Sequence, residues 1–261
     1  MTSSNGHSHR KVTVERRGQI QLVTINRPEV RNAIDLETST AISVAMDELD
    51  RDADLRVGVL TGAGGTFSSG MDLKAFLSGE RPSLPDRGLG GITMRSPRKP
   101  LLAAVEGWAL AGGFELALAC DLVIAAEDSR FGLPEVQRSL VATGGGALQL
   151  PRRLPLAIAL ELLLTGNPIS AERAMDLGLV NRCVAPNGAL EGALDLAERL
   201  ARNAPLALAA AKQIARSSQD WPSDMAWERQ KEIADRVYAS EDAQEGSRAF
   251  AEKRPPKWSG R

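Results

Sequence analysis

The chain has 261 residues, 43 % of them hydrophobic and 25 % charged, the composition of a globular protein with enough length for a sizeable core. Its 32 Lys and Arg stand against 33 Asp and Glu, a net charge of −1, so no general electrostatic footprint for nucleic acid or an anionic membrane is expected. The most apolar region, about residues 100–126, is broken by Glu106, Glu115 and Asp121, which argues against a membrane span.

In chain order, residues 1–10 are polar, lack the apolar core of a signal peptide, and are expected to form a disordered tail. They hold the chain's two histidines, His7 and His9, so neither a Ser-His-Asp or Cys-His nucleophile nor a His-ligated metal centre is expected. Acids and bases must then come from carboxylates, lysines or the single tyrosine, Tyr238. Residues 11–15 and 19–26 read as a β-hairpin turning at Arg17-Gly18. Asp35 can cap a helix over residues 36–49 with Ile42, Ala45, Met46 and Leu49 on one face. Residues 57–61 (VGVLT) read as a buried strand that runs into GAGGTFSSG, where Phe67 occupies the third-glycine position of a dinucleotide fingerprint.

Residues 79–97, rich in Pro, Gly and charge, predict a long mobile surface segment. Strands are expected at 101–105 and 121–125, and the alternation of strands and helices points to α/β architecture or a strand-strand-helix repeat. From Pro151 onward the pattern turns helical, over 155–164, 171–177, 189–201, 205–217, 224–239 and 242–253, with Ser170 and Ser240 as caps. Cys120 and Cys183, the only cysteines, read as small buried hydrophobes in a reducing cytoplasm.

Three segments carry candidate chemistry. FSSGMDLK, residues 67–74, follows a strand end, where a rigid scaffold holds loop groups in place. In GWALAGGFELALACD, residues 107–121, Gly112 and Gly113 precede a helix whose first N–H groups point outward, and Glu115 sits in an otherwise small, apolar run. A lone buried carboxylate is costly, so it neutralises, pairs with a cation or does chemistry. RFGLPEV, residues 130–136, sets Glu135 among apolar neighbours beside Pro134.

Together with NRPEVRNAI and the terminal AFAEKR, these motifs resemble the enoyl-CoA hydratase/isomerase, or crotonase, superfamily, from about Val12 to Lys257. The resemblance implies a spiral of strand-strand-helix turns over residues 11–200, followed by a helical trimerisation region over 201–261 that gives a homotrimer or dimer of trimers. It implies an acyl-CoA partner, coenzyme A being part of the substrate and no separate cofactor or metal being needed. The thioester carbonyl would lie between the backbone N–H groups of Met71 and Gly112. CoA would be met by Asp72, Leu73 and Lys74, with Arg27, Arg31 and Asn32 nearby, and Lys253 would reach the 3′-phosphate bound to a neighbouring subunit.

Hydratases of the superfamily use two glutamates, and Glu115 and Glu135 occupy both matching positions. The expected reaction is reversible addition of water to a 2-enoyl-CoA in fatty-acid or related acyl-CoA breakdown. Alternatives are a specialised hydroxyacyl-CoA dehydratase, a double-bond isomerase, a thioester hydrolase or a non-catalytic acyl-CoA binder. Two departures from the usual pattern, Ala111 in place of a glycine and VQRSLVATGGG after Glu135, make Arg138 and the extra glycine candidates for reshaping the acyl pocket.

Overall fold

Val12–Arg17 (β1) and Ile20–Ile25 (β2) pair antiparallel about Gly18, whose φ of 60° makes the turn. The computed structural model describes residues 10–261, so His7, His9 and nearly all of the expected tail lie outside the described residues. Asp35 starts Leu36–Arg51 (α1) by accepting a hydrogen bond from the Thr38 amide at 2.8 Å, and Ile42, Ala45, Met46 and Leu49 are buried on the face the spacing assigns them. Val57–Gly62 (β3) lies parallel to β2, and a loop then leads to Leu73–Leu77 (α2) and the two-residue strands Ser83–Leu84 (β4) and Gly88–Leu89 (β5).

The central turns are regular. Leu101–Val105 (β6) is followed by Trp108–Leu110 (β7) and Gly112–Ala119 (α3); Leu122–Ala126 (β8) is followed by Arg130–Gly132 (β9), a 3-10 turn at Pro134–Arg138, Gly146–Arg153 (α4) and Leu156–Thr165 (α5). Ile169–Ser170 (β10), Ala171–Asp176 (α6), Arg182–Val184 (β11) and Ala189–Ala201 (α7) complete the core. One sheet runs β1-β2-β3-β6-β8-β11, parallel after the first pair, and a second runs β10-β9-β7. Each central turn therefore gives one strand to the long sheet, one to the short sheet and a helix, the spiral that the motifs imply.

The alternation of β6 shows where the core sits. Leu101, Ala103 and Val105 face the main core, while Leu102 and Ala104 join Val57, Val59 and Ile124 against the Ala189, Ala193 and Ala197 stripe of α7. Small residues on α7 let the helix lie close to the sheet. The chain ends in Pro205–Ser217 (α8), Ala226–Tyr238 (α9) and Glu241–Ala251 (α10), where Ser240 accepts from the Ala243 amide as a cap. No described helix is long and apolar enough to cross a membrane.

Two elements differ from expectation. Residues 79–97 are folded rather than loose: Leu89 and Ile92 are buried in the main core, and Arg87 pairs with Asp47 at 2.8 Å. The glycines that suggested mobility instead permit contact, since a Cβ at Gly91, where φ is 66°, would lie 2.4 Å from the Ser43 Cβ. The helical region begins at Gly146 rather than Pro151, with the proline tolerated inside α4.

Candidate active site

Three carboxylates interrupt the apolar stretch, and the structure gives each a different environment. Glu106 accepts from the Asn187 amide at 3.1 Å and the Ala189 amide at 2.8 Å, capping the start of α7. Asp121 pairs with Lys212 at 2.6 Å and Arg216 at 2.8 Å and accepts from the Leu101 amide. Glu115 is buried with no ion pair among the described residues. Its Oε1 accepts from the Gly146 amide at 2.9 Å, in the GGG run that leads into α4. Burial pushes its carboxyl up to about 7, and the Glu135 charge adds to this against the Gly146 and Gly144 amides.

Glu135 stands at the second position of the 3-10 turn, where Pro134 fixes the backbone. Burial raises its carboxyl too, offset in part by Arg138, and its Oε2 is buried without a hydrogen-bond partner. Both carboxylates line one cavity of about 950 Å³. A shared cavity, two raised carboxyls and an orphaned oxygen give a pair able to hold one proton between them and to take a hydrogen bond from a guest.

Two backbone amides enter the same cavity. Ser68 bridges to Ala109 of β7 and Met71 bridges to Ile34, which lays the 67–72 loop along the start of α3. Gly70 has φ 89°, and a Cβ there would lie 2.7 Å from the Gly112 nitrogen. A Cβ on Gly112 would lie 3.4 Å from the Met71 nitrogen, so the two amides are neighbours. Neither donates to a protein acceptor among the described residues. Gly113 is required by packing rather than by a ligand, because a Cβ there would lie 2.2 Å from the Ser68 carbonyl oxygen. Ala111, the N-cap, holds φ 50° and ψ −128°, a strained conformation for an alanine.

Of the residues expected at the CoA end, Arg31, Asp72, Leu73 and Lys74 line the cavity. Arg27 does not: its guanidinium bonds Asp72 at 3.1 Å, Asp35 at 3.2 Å and the Ala33 carbonyl at 2.6 Å, tying the two loops together. Asn32 is fully buried and holds the Ala63 and Thr66 carbonyls at 2.8 and 2.6 Å, so its side chain braces the glycine-rich loop. Lys253 is exposed at the end of α10 and is not part of this cavity within one chain. Sequence reasoning missed Leu89 and Phe76, which also line the cavity; Leu89 lies in the 79–97 segment read as a loop, and Phe76 just beyond the FSSGMDLK motif. The 144–146 glycines were visible but their role was not: a Cβ at Gly144 would lie 2.3 Å from the Glu115 Oε2.

Paired carboxylates facing free backbone amides across a cavity, on a parallel spiral, define a class of acyl-transforming site. The enoyl-CoA hydratase/isomerase family model matches residues 15–261. The chain is 44 % identical over 255 residues to the carnitinyl-CoA dehydratase of Salmonella typhi, covering 94 % of this chain and 97 % of that one. It is 43 % identical over 258 residues to the enoyl-CoA hydratase EchA19 of Mycobacterium tuberculosis, covering 95 % and 96 %. A crystal structure of an enoyl-CoA hydratase from Mycobacterium tuberculosis H37Rv superposes with a TM-score of 0.95 at 53 % identity, covering 97 % of this chain and all of that one. The chain belongs to the enoyl-CoA hydratase/isomerase family and has the crotonase fold.

Proposed function

We propose that this chain is an enoyl-CoA hydratase that adds water reversibly across a 2-enoyl-CoA thioester. The observation that carries the reading is the pair Glu115, buried, and Glu135, half-buried, both without a counter-cation in contact, and both open to the cavity that holds the Met71 and Gly112 amides. Polarising the thioester carbonyl between those two donors stabilises charge that builds on its oxygen as hydroxide adds at C3. Glu115 holds and deprotonates the water, and Glu135 supplies the proton to C2. The same groups run backwards would dehydrate a 3-hydroxyacyl-CoA. No further cofactor enters, coenzyme A being the handle of the substrate.

Arg31, Leu73 and Lys74 stand at the rim where the nucleotide end of CoA would lie, with Asp72 held in place by Arg27. Trp227, Tyr238 and Phe250 on α9 and α10 are 79 %, 75 % and 88 % exposed, apolar area that supports assembly into a trimer or dimer of trimers. In such an assembly Lys253 would face a neighbour's CoA. Two thiols held as thiols favour the cytoplasm, where acyl-CoA breakdown would supply substrate.

Chromatography of a crotonyl-CoA reaction tests the chemistry. Hydration yields 3-hydroxybutyryl-CoA and no free CoA. Free CoA would instead identify a thioester hydrolase, and a shifted double bond an isomerase.

A further inference from the structure

The cavity holds a cation that the hydration chemistry does not use. Arg138 closes the 3-10 turn that carries Glu135 and lines the cavity, yet it has neither a hydrogen bond nor an ion pair among the described residues. In a 3-10 turn, side chains three apart eclipse, with a rise of about 6 Å between them. Arg138 therefore stands directly one turn beyond Glu135. With Glu135 assigned to C2, a cation one turn beyond it on the same cavity lining stands near the acyl chain.

A second group on the cavity lining points the same way. Phe76 is the aromatic ring of the described cavity lining, and the Arg81 guanidinium sits 4.3 Å above its centroid. That face is the place where a quaternary ammonium would bind, and a guanidinium already occupies it. Asp72, which could also attract a cation, is engaged by Arg27. Arg138 and Arg81 thus both line the cavity, together with Leu140 and the exposed Val141.

Resting on the reading of this cavity as an enoyl-CoA site, we propose that Arg138 is a specificity-determining residue that selects acyl chains ending in a carboxylate, such as a five- or six-carbon 2-enedioyl-CoA, and that the subsite rejects acyl groups carrying a quaternary ammonium. This separates the chain from the carnitinyl-CoA dehydratase that it resembles at 44 % identity. The Arg138 charge also lowers the Glu135 carboxyl, but that effect is common to every acyl chain and cancels in a ratio of substrates.

The test compares crotonyl-CoA, glutaconyl-CoA and crotonobetainyl-CoA in the wild type, Arg138→Gln and Arg138→Lys, by kcat/KM. Binding of the saturated analogues butyryl-CoA and glutaryl-CoA is measured alongside by calorimetry. The wild type should prefer the carboxylated over the plain chain by about tenfold or more in both assays, as a hydrogen-bonded charge pair gives, and should turn over crotonobetainyl-CoA least. Arg138→Gln should collapse the preference to near unity, whatever it does to turnover in common through Glu135, and Arg138→Lys should restore part of it. An equal loss for all acyl chains in Arg138→Gln, with the substrate preference unchanged, would show that Arg138 acts through Glu135 or the CoA moiety and would overturn the proposal, as would a wild type that does not discriminate. Loss of all turnover with the glutaryl-CoA binding preference intact would sink the hydratase reading and leave the subsite standing.

Discussion

In the proposed reaction Glu115 holds the water, and its position carries a stability cost. Its carboxyl is pushed up to about 7 mainly by burial, so the pair loses its last proton near neutrality. Above that point both carboxylates are ionised and no acid is left for C2. The kcat/KM profile should therefore fall with rising pH above about 7, roughly tenfold per unit, and a flat profile to about pH 9 would contradict it. The same shift acts on folding: a raised carboxyl favours the native state below its unfolded value and loses that advantage as pH rises through the folded one. Glu115→Gln should thus gain about 3 kcal/mol over the wild type at about pH 8 and little at about pH 5, measured by urea unfolding. Gly70→Ala should act on the amides instead: its methyl would press on the Gly112 nitrogen from a φ of 89°, cutting kcat by about a hundredfold or more in steady-state assays. At this scale the sequence made Glu115 conspicuous, as an acid among alanines and leucines. It did not show that Gly144 and Gly146 shape its seat, because that contact spans more than 25 residues of chain.

Among the elements, α3 links the site to the C-terminal helices. Its N-terminus presents Gly112, and its C-terminal carbonyls at Leu118, Ala119 and Cys120 accept from Arg153 and Arg216. These cations complement the negative end of the helix dipole, and Asp121 balances them together with Lys212 from α8. Asp121→Asn would leave the partly buried Lys212 and Arg216 without their carboxylate and should cost about 3 kcal/mol by chemical denaturation. An unchanged unfolding midpoint would refute that account of the anchor. Long helices such as α1, α7 and α8 were legible within one or two residues, because their apolar spacing and caps are local. β9 and β10 were not, since strands of three and two residues have too little pattern to register. Residues 79–97 misled for a different reason: their glycines serve close contact with α1 and α3, which composition alone reads as a loop.

At the scale of the whole molecule, the spiral places three successive loop regions, around Met71, Gly112 and Glu135, beside one another, although they are separated by tens of residues. The motifs were legible because each is contiguous; their convergence became visible only in the fold, through the parallel register of β3, β6 and β8 and the bridge from Ser68 to Ala109. The exposed aromatic residues of α9 and α10 belong to this scale as well. Light scattering should give three or six times the chain mass, and Trp227→Arg with Phe250→Asp should lower it towards the monomer. The account as a whole rests on the two glutamates acting together on an enoyl thioester. The most direct measurement follows the loss of crotonyl-CoA enoyl absorbance with the wild type, Glu115→Gln and Glu135→Gln, each first shown to bind CoA. The account predicts rapid loss in the wild type and a drop of about 10²–10⁴ in kcat for each variant. Wild-type turnover that survives either substitution within a few-fold would contradict it.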